Sequence, residues 1–374
     1  MEGFALFRKP YGSDYTLLCG EVQSLAACSE LSGRSGFVIA PFAPSREEPV
    51  LLIQPDRVHR VSVSEGICHL PAIPICSQSE LSVLPCESAC SCNPRSSYHN
   101  DFATFHQHII QGEFQKLVLA RRLDVVSEGA AAPADLFVRA CERYPRLFVS
   151  LTYTSQSGLW LTATPEVLLE NSGDEWKTIA LAGTVPFSED VRWSDKNIQE
   201  QRYVATYITE QLKPFTDHVS EQGPYTARAG HLAHLRSDFC FTLYNSTRVG
   251  DLLQSLHPTP AVCGLPKHEA FRFIMANESH GRSYYSGFMG PLDVEQNTSL
   301  YVTLRCMHIF RNGYHLYAGG GLLTDSVEEL EWQETETKLD TMRRIICNEN
   351  EIRNTKYEIR KRNTITKTSS GNHV

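Results

Sequence analysis

Hydrophobic positions in the first 75 residues come in short runs. Tyr15–Cys19, Gly36–Ala40 and Val50–Ile53 are apolar blocks separated by Gly, Ser or Pro. That spacing predicts strands. Residues 77–97, rich in Ser, Pro, Cys and Asn, predict a loop or linker. A helix over about 100–112 stops at Gly112. Leu117, Val118 and Leu119 then predict a buried strand with Lys116 at its start. A helix over about 133–144 precedes two strands, Leu147–Tyr153 and Gly158–Thr164. Another helix begins near Ser194-Asp195, and strands and loops alternate over 213–250. A short helix near Asp251–Leu256, a Pro- and Gly-fixed loop to Pro266 and a helix over about 267–277 follow. Tyr284–Gly290 and Ser299–Phe310 read as strands.

The stretch Leu316–Lys338 combines two patterns. Leu316-Tyr317-Ala318 predicts a short strand running into Gly319, Gly320 and Gly321, and an acidic helix begins after Thr324-Asp325-Ser326. Ser326 or Asp325 suits the N-cap, and Glu328 and Glu329 suit a first turn facing the positive end of the helix dipole. Glu331, Glu334 and Lys338, three and four apart, share one face. Trp332, Leu339, Met342 and Ile346 form a separate apolar stripe that can dock the helix. Consecutive glycines after a strand predict a loop whose N–H groups approach an anion. A carboxylate-rich face beside it suits a hard cation with oxygen ligands.

Composition narrows the function. The chain has 374 residues, 41% of them hydrophobic, and a formal charge of −8. Its length allows two domains of about 150–200 residues or one large domain. With no basic block inside the chain, nucleic acid is not expected as a partner. No apolar run approaches a membrane span, so no membrane is expected either. The first residues lack the continuous apolar segment of a signal peptide, and the expected location is cytoplasmic. Five of the twelve cysteines cluster at Cys68, Cys76, Cys86, Cys90 and Cys92 without zinc-type spacing, and read as a cysteine-tolerant loop. Cys141, Cys240, Cys263 and Cys306 sit in apolar or turning sequence and are expected as reduced, hydrophobe-like thiols. Residues 348–374 are polar and basic without periodicity, and predict disorder.

Four positions stand out for chemistry. Lys116 is tied to an apolar strand; burial withdraws the hydration its ammonium form needs, which suits a general base. Glu166, between Pro165 and three apolar residues, is placed to have a raised pKa and act as an acid. Arg305, in the apolar run Tyr301–Met307, needs an anionic partner, and a substrate carboxylate can supply one. Glu200 lies on one side of the helix that starts near Ser194 and reads by default as a surface residue.

Nine segments together resemble the chorismate-utilising enzymes: FQKLVLARR, TPEVLL, LAGT, SDKNIQEQRYV, LHPTPAVCGLP, YYSGFMGPLD, VTLRC, LYAGGG and EWQETETKL. They occur in the family's order over roughly residues 100–346. Lys116 matches the lysine with which isochorismate and salicylate synthases activate water, where anthranilate synthases typically carry glutamine. Ala182 stands where aminodeoxychorismate synthases carry a nucleophilic lysine. Pro260-Ala261 is similar to isochorismate synthases. The resemblance therefore implies isochorismate synthase: Mg2+-dependent isomerisation of chorismate by water addition at C2 and loss of the C4 hydroxyl. It implies Lys116 as the general base and Glu166 as the general acid. Glu200 and Glu334, with Glu331 nearby, would hold Mg2+. Arg305, Tyr285, Gly320 and Gly321 would bind substrate carboxylates, and Gly183 and His257 would line the pocket.

The alternatives are a salicylate synthase, which would also eliminate pyruvate, and a non-catalytic chorismate-binding homologue. Lys116 counts against a glutamine-dependent anthranilate-type synthase, so no obligatory glutaminase subunit is expected; a monomer is. The implied fold is α+β: large antiparallel sheets, helices packed outside, and the site in a cleft between sheets. Residues 1–98 are expected to form a strand-rich start of the same domain, 99–347 the catalytic region and 348–374 a tail.

Overall fold

The computed structural model describes residues 2–63, 94–126, 131–188, 190–229 and 232–347. The expected cysteine-rich loop up to residue 93 and the basic tail lie outside the described residues, while 94–97, expected as the end of that loop, already form the first turn of a helix. The chain opens with four strands, β1 (Glu2–Arg8), β2 (Asp14–Leu25), β3 (Gly36–Ala40) and β4 (Val50–Ser62). Helix α1 (Pro94–Ile110) leads to β5 (Lys116–Val126), and α2 (Pro133–Arg143) leads to β6 (Phe148–Thr154), β7 (Gly158–Thr164), β8 (Val167–Ser172) and β9 (Glu175–Pro186). Then come α3 (Asp195–Leu212), β10 (Val219–Ala229), β11 (Leu232–Thr242) and α4 (Val249–Leu256). The short β12 (Gly264–Leu265) precedes α5 (Lys267–Asn277). Last are β13 (Phe288–Leu292), β14 (Ser299–Val302), β15 (Cys306–Phe310), β16 (Gly313–Leu322) and α6 (Glu328–Ile346).

The architecture is α+β, as the sequence implied. All sixteen strands join one sheet in the order β10-β11-β9-β8-β14-β13-β3-β4-β2-β1-β6-β7-β15-β16-β5-β12, and every pairing is antiparallel. The expected plural sheets are thus one continuous sheet. Its two halves enclose an aromatic core that includes Phe7, Phe37, Phe148, Trp160, Tyr285, Tyr301 and Tyr317. Phe148 and Tyr301 stack there at 4.1 Å. Apolar residues on both faces of these strands explain why they read as continuous runs rather than alternating ones. Helices cover the outside: α3 and α4 over one half, α2 and α6 over the other, and α1 and α5 beside β5.

Three local features depart from the sequence reading, and each shapes the site. The glycine triplet is not a loop: Gly319, Gly320 and Gly321 lie inside β16, paired with Ala120, Leu119 and Val118 of β5. The run Ser299–Phe310 is not one strand. It breaks at Thr303–Arg305, where Arg305 adopts φ 45°. That left-handed backbone is uncommon for a bulky residue. Helix α6 starts one or two residues later than its capping signal implied. Its N-cap is Val327, without a side-chain cap, while Ser326 Oγ accepts the Leu323 N–H at 3.0 Å. By contrast Ser194 caps α3 as its sequence suggests, accepting from the Asn197 N–H. The thiols of Cys141, Cys263 and Cys306 are free and buried, and Cys240 is free and partly buried. Among the described residues no helix is long and apolar enough to cross a membrane.

Candidate active site

The two halves of the sheet meet around a cavity of about 60 Å³. One half contributes β5 and β16, the other the start of β8 with β9 and β11, and α3 and α6 close it with carboxylates. Glu166, Gly183, Glu200, Tyr285, Arg305, Gly321 and Glu334 all line it, so residues far apart in sequence come together.

Lys116 opens β5 and is fully buried. Its Nζ lies 3.0 Å from Glu200 Oε1. Burial pushes the Glu200 carboxyl up, but Lys116 and Lys196 outweigh burial and hold it below its ordinary range. Glu200, the default surface residue of α3, is in fact buried. Glu166 follows Pro165 at the lip of β8 and is 4% exposed. Its backbone carbonyl accepts the Val302 N–H at 2.9 Å, which fixes it beside the break in the neighbouring run. Burial pushes its carboxyl up to about 7, against the opposing pull of Lys116, Arg305 and Lys338. Glu166 thus lines the cavity with a carboxyl poised near neutrality, and Lys116 reaches the same cavity through its partner Glu200.

Arg305 is buried, and its bend turns the guanidinium to His234. Arg305 Nη2 lies 2.6 Å from His234 Nε2, and His234 Nδ1 lies 2.8 Å from the Gly183 carbonyl. A guanidinium only donates and a carbonyl only accepts, so this chain fixes His234 as the neutral Nδ1–H tautomer. Burial first, and then Arg305, push the His234 pKa well down. The Arg305 guanidinium itself is lowered to about 10 by burial, opposed by Glu166. Gly183, at φ 67°, has a left-handed backbone that strains any side chain, and a Cβ there would sit tightly at 3.2 Å from Asn197 and Trp193. Tyr285 is buried and stacks on Tyr317 at 5.4 Å.

The glycines of β16 permit close approach, not an unusual backbone. A Cβ on Gly321 would sit 2.1 Å from Glu200 Oε1 and 2.9 Å from Lys116 Cε. A Cβ on Gly320 would face Glu331 Oε2 at 3.4 Å and Glu334 Oε1 at 3.9 Å. Three carboxylates from two helices therefore gather on two successive glycines. Each meets a lysine: Glu200 with Lys116, Glu331 with Lys196, and Glu334 with Lys338 at 2.7 Å. Among the described residues no donor sits within bonding distance of the buried Glu331 Oε2, though the Ser326 hydroxyl is near enough to pull the carboxyl's pKa down. Burial raises the Glu331 pKa, with Lys196 opposing and Glu334 adding to the rise. All-oxygen donors, one of them orphaned, fit a hard divalent cation. No ready-made cluster of three or more His, Cys, Asp or Glu ligands exists among the described residues, and each of these carboxylates is instead paired with a lysine.

One expected lining residue is elsewhere. His257 does not line the cavity; it is buried against Phe288, with Nε2 3.0 Å from the Pro41 carbonyl. Sequence reasoning missed His234, for which the alternating strand around it gave no signal. It also gave no role to Lys338, which lines the cavity and donates to the Gly319 carbonyl at 2.7 Å. Its spacing of four from Glu334 was the available sign. Ala182 lines the cavity as well, leaving no nucleophile at that position.

The chain resembles known proteins in sequence and in structure. A family model described as chorismate binding enzyme matches residues 77–347, well over half of the chain. The isochorismate synthase EntC of Escherichia coli is 29% identical over 241 residues, 62% of each chain. The salicylate biosynthesis isochorismate synthase of Pseudomonas aeruginosa is 32% identical over 254 residues, 62% of this chain and 51% of its own. The chain thus spans less than two thirds of the length of these curated relatives. In structure it resembles the menaquinone-specific isochorismate synthase MenF of Escherichia coli, with TM-score 0.75, 23% identity and coverage of 92% and 89%. It also resembles anthranilate synthase component I of Streptococcus pneumoniae, with TM-score 0.66, 18% identity and coverage of 91% and 90%. The structural likenesses extend the shared fold across the N-terminal strands, and the sequence match fixes the membership: this chain belongs to the family of chorismate binding enzymes.

Proposed function

We propose that the protein is an isochorismate synthase, converting chorismate to isochorismate with Mg2+. The observation that carries this reading is buried Glu166, its carboxyl raised to about 7, lining one cavity with Glu200, the ion-pair partner of buried Lys116. Lys116 takes a proton from water as the water oxygen bonds to C2. The ring double bonds shift, the C4–O bond breaks, and Glu166 gives its proton to the departing hydroxyl, which leaves as water. Water consumed equals water released, and solvent returns the protons to their starting groups. A base that accepts and an acid that donates need opposite protonation states, and for Glu166 burial supplies the protonated one.

Arg305 binds a substrate carboxylate through its fork, with Tyr285 beside it and His234 fixing its direction. Gly320 and Gly321 let the substrate and the carboxylates approach the β16 backbone. Glu200 and Glu334, with Glu331, would hold Mg2+, which would neutralise a substrate carboxylate. The absence of a nucleophile at Ala182 and the lysine at 116 favour water over ammonia. The enzyme is proposed to act in the cytoplasm as a monomer without a glutaminase subunit. Residues 1–98 and 99–347 are proposed to form one domain.

The test is chromatography of products after adding chorismate and Mg2+ to purified protein without ammonia or glutamine. A mixture of chorismate and isochorismate without pyruvate is expected. Salicylate with equal pyruvate would instead make it a salicylate synthase. Bound but unconverted chorismate would make it a binding homologue.

A further inference from the structure

A second cavity, of about 500 Å³, lies directly behind the catalytic one. The wall between them is thin: Leu181 and His234 line both cavities. Pro165 and Val167, on either side of Glu166, also face the second cavity. Its volume falls in the range of small-molecule sites.

Its charge is opposite to that of the chain. Lys9, Arg146, Lys177, Arg228 and Arg236 line it, against Glu170 and Glu175, in a protein of net charge −8. Arg236 is paired with Asp238 and Arg228 lies over the Phe187 ring. Arg146 and Lys177 form no ion pair among the described residues. Concentrating like charge in a recess costs stability unless an anion offsets it. The remaining wall is apolar and includes Pro165, Val167, Leu181 and the ring of Tyr301. Cations around a partly apolar recess suit an anion that carries a ring rather than a bare inorganic ion.

We propose that this cavity binds a small ring carboxylate, and that its occupancy tunes the catalytic cavity through the shared His234 wall. The carboxylate meets Arg146 and Lys177, and the ring lies toward Val167 and Tyr301. Of the two shared residues, His234 reaches the catalytic cavity's Arg305 directly through a hydrogen bond. A ligand pressing on it shifts the Arg305 fork, so its effect appears in KM for the substrate. The binding part is independent of the reaction proposed above; the kinetic part rests on it.

The probe is 2-hydroxybenzoate, titrated into the full chain by calorimetry. Saturable binding is expected, weakened by about tenfold or more in Arg146→Glu/Lys177→Glu and by added salt. Arg305→Ala should leave the site saturable, and saturating chorismate should shift the probe affinity without displacing the probe, because coupling is reciprocal. Circular dichroism checks folding of the double variant, and the single Arg146→Glu, at an exposed position, serves if the pair misfolds. Absence of saturable binding at millimolar probe overturns the site. Binding displaced by chorismate and indifferent to the charge reversals places the probe in the catalytic cavity and also overturns it. If the probe binds here but leaves KM for chorismate unchanged, coupling through His234 is wrong.

Discussion

The acid assigned to Glu166 can be tested through pH. Its carboxyl is raised to about 7 from an ordinary 4.5, chiefly by burial. As a group that must be protonated to act, it is competent below about 7 and loses competence as pH rises. At pH 8 about one tenth of the enzyme, and at pH 9 about one hundredth, carries the proton. The kcat/KM should therefore fall about tenfold per pH unit above 7, with a midpoint good to about a unit. An ordinary glutamic acid would be only about one thousandth protonated at pH 7.5, so burial supplies most of the working acid near neutrality. Glu166→Gln keeps the shape and removes the proton. It should lower kcat by about 10²–10⁴ and abolish the alkaline limb set by this group. The assay is kcat/KM from pH 5.5 to 9 by product chromatography at low chorismate with saturating Mg2+, which reports the free enzyme, with kcat at saturation read beside it. A limb that persists with the same midpoint in Glu166→Gln would assign it to another group. A wild-type midpoint below about 5.5 would refute the burial argument itself.

Three further outcomes follow from the geometry. Gly321→Ala places a methyl 2.1 Å from Glu200 Oε1 and should separate Glu200 from Lys116. A displacement of about 1 Å in such a site costs about 100-fold, read as kcat and Mg2+ dependence with unchanged circular dichroism. Arg305→Ala removes the fork for a substrate carboxylate and should lower kcat/KM by about 100-fold, mostly through KM. Glu278→Ala leaves Arg282 buried without its charge partner, since the pair is 3% and 2% exposed and Glu278 Oε1 also accepts the Ala120 N–H at 2.8 Å. Stability should drop by about 3–5 kcal/mol, read as the urea midpoint; Glu278→Ala/Arg282→Met should recover part of it.

The sequence by itself determined the elements and the chemical inventory. Apolar runs marked β3 and β7 at their true bounds, and Ser194 marked the start of α3. Spacing of three and four placed Glu331, Glu334 and Lys338 on one face, because helix geometry is local. Lys116 and Glu166 were legible because an ionisable side chain inside an apolar run must find a purpose or a partner. Tertiary structure decided the rest. Whether three glycines form a loop or a strand depends on β5 pairing with them from about 200 residues away, which no local pattern encodes. The bend at Arg305 is likewise invisible in an apolar run, yet it turns the guanidinium toward His234. Glu200 reads as a surface residue on its own helix and becomes buried only when α3 meets Lys116. His257 looks suited to a pocket, but its loop packs it on Phe288 and Pro41 instead. Periodicity says which face of an element is apolar; only the closing of the sheet on itself says which charges must share one dry space.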